Sequence, residues 1–129
     1  MIDILGSFSG LTVLDLTEAK NFYVDKLGLT LDSEEMGLRL LLPGGGRLFI
    51  YDKTDHEAAN YTVLNFVVKN IDESIEKLAS SGIKMEHYDN LPAPQDEKEV
   101  LRGIAANQGP DIAWFLDPSG NVLSLIQEA

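Results

Sequence analysis

The hydrophobic pattern changes period along the chain, and each change marks an element. Alternating apolar and polar positions predict strands over residues 8–14, 29–32, 38–42 and 48–51. Between the first two, Leu16, Ala19, Phe22, Tyr23 and Leu27 recur at helical spacing and predict a helix over 17–27. Asp15 or Thr17 is placed to cap its start, and Gly28 to stop it. Gly44, Gly45 and Gly46 form the turn before the fourth strand. A polar linker over 53–60 closes this β-α-β-β-β run.

The pattern then restarts. Residues 62–69 predict a strand, and 72–81 a helix with Ile71, Ile75, Leu78 and Ala79 on one face and Gly82 as its stop. Strands follow over 84–88, 111–116 and 122–126, the last two joined by the turn residues Asp117, Pro118, Ser119, Gly120 and Asn121. The two runs superpose by offset. Val13, Leu16, Glu18 and Tyr23 precede Val68, Ile71, Glu73 and Leu78 by 55 positions. Leu27, Gly28 and Leu29 precede Ser81, Gly82 and Ile83 by 54. Pro43, Gly45, Leu48 and Ile50 precede Pro118, Gly120, Leu123 and Leu125 by 75. Helix stripe, helix stop and turn recur in one order, so the chain reads as an internal repeat of two modules, 8–52 and 61–127, in a single α+β domain. A charged, proline-containing insertion over 91–110 absorbs the longer offset.

Composition narrows the function classes. The chain has 129 residues, and its formal net charge of −11 makes nucleic acid and anionic membrane poor partners. It has no cysteine, which excludes disulfides, a thiolate zinc site and a Cys nucleophile, and fits the reducing cytoplasm expected as its location. No apolar run approaches the roughly 20 residues of a membrane span, and MIDILGSFSG lacks the basic start of a secretion signal. There is no nucleophile elbow, phosphate loop or paired-carboxylate motif. Of two histidines, His56 reads as a solvated loop residue. His87 is a candidate general base or lone ligand beside the insertion, or a structural residue.

FYVDKLGL in the first module and FLDPSGNVLSLIQ in the second together resemble the vicinal oxygen chelate superfamily, the glyoxalase, bleomycin-resistance and extradiol-dioxygenase group. The resemblance runs from about residue 8 to 127. It implies half-barrel sheets around a cavity and a homodimer. In metal-dependent members it implies four His, Glu or Gln ligands, from the first and fourth strands of each module. The matching positions here are Phe8, Phe49, Val63 and Ser124. None is a good donor to a divalent ion, so no metal and no other cofactor is expected.

If those positions face the cavity, strand alternation adds Gly10, Thr12, Tyr51, Asn65, Val122 and Ile126 to that face, and the 75 offset adds Arg39 and Trp114. Leu11, Val13, Leu48, Ile50, Leu64, Phe66, Leu123 and Leu125 then face the helices. The candidate ligand-binding set is Phe8, Thr12, Arg39, Phe49, Tyr51, Val63, Asn65, Trp114 and Ser124. An apolar pocket with a few polar points fits a small-molecule ligand. Plainer readings stand beside it: Phe8, Phe49 and Val63 as barrel filling, Trp114 as packing, Arg39 reaching solvent or paired with Glu34 or Glu35. Arg102 is a candidate to fold over the cavity mouth, with the insertion as a lid or as a disordered segment. Three functions follow: a metal-free binding protein of the bleomycin-resistance type; an enzyme, lactoylglutathione lyase-like or dioxygenase-like, with a relocated site at His87 or Tyr51; or a structural dimer with a filled barrel.

Overall fold

A computed structural model describes residues 1–129. The chain forms two compact units, Met1–Glu57 and Ala58–Ala129. Both are small mixed sheets with a helix packed on one face, which makes the class α+β. No helix is long and apolar enough to cross a membrane.

The first unit holds β1 (Ser9–Val13), α1 (Leu16–Lys20), β2 (Thr30–Ser33), β3 (Leu38–Leu41) and β4 (Arg47–Asp52). Its sheet runs β1-β4-β3-β2, with β1 parallel to β4 and the other pairs antiparallel. Asp15 is the N-cap of α1, its Oδ1 accepting from Glu18 N–H at 3.0 Å. Leu11, Val13, Leu38, Leu40, Leu48 and Ile50 are buried from the sheet side, and Ala19, Phe22 and Tyr23 from the helix side. Phe22 and Tyr23 pack edge to face, centroids 5.1 Å apart.

After α1 the chain continues as a π-helical segment, Asn21–Lys26. The repeat explains it. The offset between modules is 55 at Tyr23 and Leu78 but 54 at Gly28 and Gly82, so the first helix carries one more residue than the second. A π-turn, whose hydrogen bonds reach one residue further than those of an α-helix, accommodates it while Phe22 and Tyr23 stay buried.

The second unit holds β5 (Thr62–Val67), α2 (Ile71–Ser80), β6 (Asp111–Leu116) and β7 (Val122–Gln127), in sheet order β5-β7-β6. Asn70 caps α2, accepting from Glu73 N–H at 3.1 Å, and Gln127 Oε1 accepts from Ile71 N–H at 2.9 Å. Ile71 and Leu78 are buried, but Ala79, expected on the same face, is exposed. Gly82 takes a φ of 81°, and Ile83 N–H closes on Leu78 O at 3.0 Å in a Schellman-type stop. The turn before β7 is held by Asp117, whose carboxylate accepts from Ser119 N–H, Asn121 N–H and Asn121 Nδ2 at 2.8–2.9 Å.

The offsets read from the sequence reproduce the ladder register. Gly10 opposes Phe49 and Asn65 opposes Ser124; Arg39 opposes Phe49 and Trp114 opposes Ser124. Leu11 with Ile50 corresponds in the same way to Phe66 with Leu125.

Two further expectations fail in the second unit. Residues 84–88 form no strand; a single bond, Glu86 N–H to Trp114 O at 2.7 Å, ties them to β6. The competing partner is Leu101, which exchanges two backbone bonds with Ile112 on β6, at 2.8 and 3.1 Å. Gln95 occupies the backbone groups left over: its Oε1 accepts from Tyr88 N–H at 2.7 Å, and its Nε2 donates to Glu86 O at 3.0 Å and Glu99 O at 2.7 Å.

The second correction is Arg102, which does not fold over a cavity mouth. It donates through Nε to Asp96 at 2.8 Å, through one terminal nitrogen to Asp72 at 2.7 Å, and through the other to Asp72 and Asp111 at 3.3 Å. Asp111 shares the face of buried Ala113 and Phe115, and Asp72 opens α2, so the insertion is pinned on the helix side of the sheet. The Arg102 and Lys98 hydrogen bonds hold the Asp72 carboxyl down at about 2.

Candidate functional site

Alternation leaves one face of the first sheet without a helix, and the candidate residues of that module gather there. β1 presents Gly10 and Thr12, β4 presents Arg47, Phe49 and Tyr51, and β3 presents Arg39 and Leu41. Phe8 precedes β1 and is 71% exposed; Tyr51 is 39% exposed. Phe49 lies in the middle. Its ring stacks on Tyr51 at 5.6 Å, and the Arg39 guanidinium lies 5.5 Å from its centroid. Gly37, at φ 146°, makes room for that ring: a Cβ there would come within 2.5 Å of Ile50 O and 2.9 Å of Phe49 Cε1.

Phe8, Arg39 and Phe49 line one pocket of about 130 Å³, with Leu40 and Leu48 at its floor. Asp32 and Arg47 also line it, and the sequence reading missed both. Arg47 was within reach, since it shares the parity of Phe49 and Tyr51 on β4. Arg39 does not pair with Glu34, which is bound to Lys20 at 3.0 Å, and it makes no ion pair with Glu35. His56 is not a freely solvated loop residue: it is half-buried, with its Nδ1 2.6 Å from Thr12 Oγ1.

In the second unit, Asn65, Ser124 and Trp114 form one row across β5, β7 and β6. Ser124 is fully buried, and its hydroxyl donates to Asn65 Oδ1 at 2.5 Å. Trp114 spans β7, its Nε1 donating to Thr62 Oγ1 at 3.1 Å, with Tyr88 edge-on at 5.7 Å. Val63 is half-buried at the irregularity between Thr62 and Leu64.

His87 lies outside the Asn65, Ser124 and Trp114 row. Its Nδ1 is 2.6 Å from Glu99 Oε2 and its Nε2 2.9 Å from Asp89 Oδ1, so both ring nitrogens are engaged by carboxylates. Glu99 first, then Asp89, push its pKa above the ordinary imidazole value. That favours a charged clamp on the insertion over a free base.

The metal chemistry of the resemblance can be tested on the donors present. Phe8, Phe49 and Val63 carry none, and the Ser124 hydroxyl is spent on Asn65. No group of three or more His, Asp or Glu is placed to share an ion. These residues do not fit a divalent metal, and no chemistry here is routed through one.

The family model described as Glyoxalase/Bleomycin resistance protein/Dioxygenase superfamily matches residues 4–125. Bleomycin resistance proteins of Geobacillus stearothermophilus and Staphylococcus aureus are each 26% identical over 97% of this chain and 98% of theirs. The fosfomycin resistance protein FosX of Listeria monocytogenes superposes with a TM-score of 0.69 at 18% identity, covering 100% of this chain and 96% of that one. TnmS3, an antibiotic binding protein from Streptomyces sp. CB03234, gives 0.68 at 21% identity, covering 99% and 100%. These last two likenesses show the shared fold. With the repeat, the common register and a family match over nearly its whole length, this chain belongs to the glyoxalase/bleomycin resistance protein/dioxygenase superfamily.

Proposed function

We propose that this protein binds a small molecule, without metal, on the open face of its first sheet. The observation that carries this reading is the half-exposed aromatic row of Phe8, Phe49 and Tyr51 with Arg39 beside it. A concave, mostly apolar surface with a few placed polar groups is what small ligands use. The names of two relatives point the same way, one a bleomycin resistance protein and one an antibiotic binding protein. The pocket of about 130 Å³ falls well below the roughly 300–1,000 Å³ of drug-sized sites, so it holds part of such a ligand. We propose that a second copy of the chain supplies the remaining wall.

Native mass spectrometry of the purified protein tests this directly. The expected spectrum shows a dimer that carries no stoichiometric divalent metal and takes up small aromatic compounds, with uptake lost in Phe49→Ala. Stoichiometric metal, or uptake untouched by Phe49→Ala, overturns the reading.

A further inference from the structure

We propose that the pocket beside Phe8 and Phe49 is a site for a small aromatic carboxylate, held by Arg39 and Arg47. The inference rests on the binding function above and names the chemistry it selects.

The chain has only three arginines, and they fall into two classes. Arg102 is saturated by Asp72, Asp96 and Asp111. Arg39 and Arg47 have no carboxylate within 4 Å. Both line the same pocket. Arg39 opposes Phe49 and Arg47 opposes Leu41, so the two arginines are diagonal neighbours on one face. Diagonal positions lie about 7–8 Å apart, within reach of two long side chains around one anion.

The surroundings make the pair unusual. The chain carries 21 acidic residues against 10 basic ones, yet two guanidiniums flank one small pocket unneutralised. Asp32 is the one carboxylate lining it, which leaves a net positive charge there. A guanidinium without a partner keeps its planar fork for a ligand, and that fork matches a carboxylate in two parallel hydrogen bonds. Phe8 and Phe49 supply walls for a ring, and the volume of about 130 Å³ is of the order of a single ring. The local charge therefore selects for an anion, against the sign of the whole protein, which the net charge of −11 does not reveal.

Three probes of nearly one shape separate ring from charge: benzoate, benzamide and benzylammonium. Each is titrated into the full-length protein, with the arginine side-chain Nε–H resonances and backbone amides followed by NMR. Benzoate is expected to bind about tenfold more tightly than benzamide, and benzylammonium more weakly than either. Arg39→Gln and Arg47→Gln should each lower benzoate affinity about tenfold and collapse the benzoate-over-benzamide ratio, with the amide spectrum confirming the fold. Benzamide or benzylammonium binding as tightly as benzoate overturns the carboxylate site. So does a benzoate preference that survives Arg39→Gln with Arg47→Gln. If Phe49→Ala then abolishes the charge-blind binding, the small-molecule function stands without the anion. If none of the three probes perturbs the pocket, the carboxylate site falls, and the binding function is decided by the uptake experiment above.

Discussion

The two modules share a register but distribute bulk in opposite ways. In the first, the central row reads Gly10, Phe49, Arg39: the largest side chain sits on the middle strand, with nothing beside it on β1. Phe49 therefore stands up from the sheet, with Arg39 and Tyr51 lying against it. In the second, the same row reads Asn65, Ser124, Trp114: the middle strand carries the smallest side chain and the indole crosses it to Thr62. Ser124 ends with no exposed surface and its hydroxyl satisfied by Asn65. One backbone pattern thus yields a half-exposed aromatic platform in one module and, in the other, a polar row closed only at its centre by Ser124. The difference extends to charge, since the first module leaves its two arginines without carboxylate partners and the second commits its one arginine to three. A repeated fold preserves hydrogen-bond register because the ladder is a backbone property, while the face it presents depends on which strand of each row carries the volume.

The sharpest way to break this contrast is Ser124→Glu, which puts a carboxylate under Trp114 at a position with no solvent access. An unpaired buried charge costs several kcal/mol, and about 4 is expected here in urea unfolding. A red shift in Trp114 fluorescence should follow as the indole is displaced. A stable variant with unshifted emission would mean that the second row is not closed.

Next in size, Arg102→Gln leaves Asp111 buried without its cation, at an expected cost of about 3 kcal/mol. Limited proteolysis should then cut within 91–110 well before the wild type is cut. Gly37→Ala tests the first module alone. A side chain at φ 146° that also meets Ile50 O is expected to cost about 2 kcal/mol and to push the Phe49 ring off its seat. Loss of aromatic-ligand uptake at temperatures where the variant is folded checks it.

The pH effects are smaller. Asp72 is depressed from 3.8 to about 2, so the stability it contributes is present above pH 3.8 and is lost as pH falls toward 2. Acid unfolding should shift to higher pH in Arg102→Gln, measured by circular dichroism. His87 has the opposite sign. Its folded pKa lies above 6.5, so its contribution is complete below that value and disappears as pH rises through the raised one. Glu99→Gln should bring the His87 titration, followed by NMR, back toward 6.5; an unmoved midpoint would exclude the clamp.

Much of the architecture was legible in the sequence because it depends on local periodicity. The apolar stripe of Ala19, Phe22 and Tyr23, the helix stops at Gly28 and Gly82, and the Asp117–Asn121 turn are each written within a few residues. The π-turn was also encoded, as the slip from an offset of 55 to 54, though only the structure shows how the extra residue is taken up. Residues 84–88 were misread for a physical reason. Their pattern suits a strand, but pairing is a competition for one edge of β6, which Leu101 enters from the insertion, while Gln95 takes backbone groups of Glu86 and Tyr88. Strand propensity cannot register a rival more than ten residues away.

The sequence by itself determined the class of fold, the two-module repeat and its register, because alternation and offset are properties of chain order. Tertiary structure alone decided what the faces became. It brought Arg47 and Asp32 to the pocket of Phe8, Arg39 and Phe49, laid Trp114 across Ser124, drew His56 onto Thr12, and locked Arg102 to the helix side. The pairings of Thr12 with His56, Thr62 with Trp114, Asn65 with Ser124 and Asp72 with Arg102 join residues 30 to 59 positions apart. Their partners are chosen by distance and charge in the folded molecule, which chain order does not record.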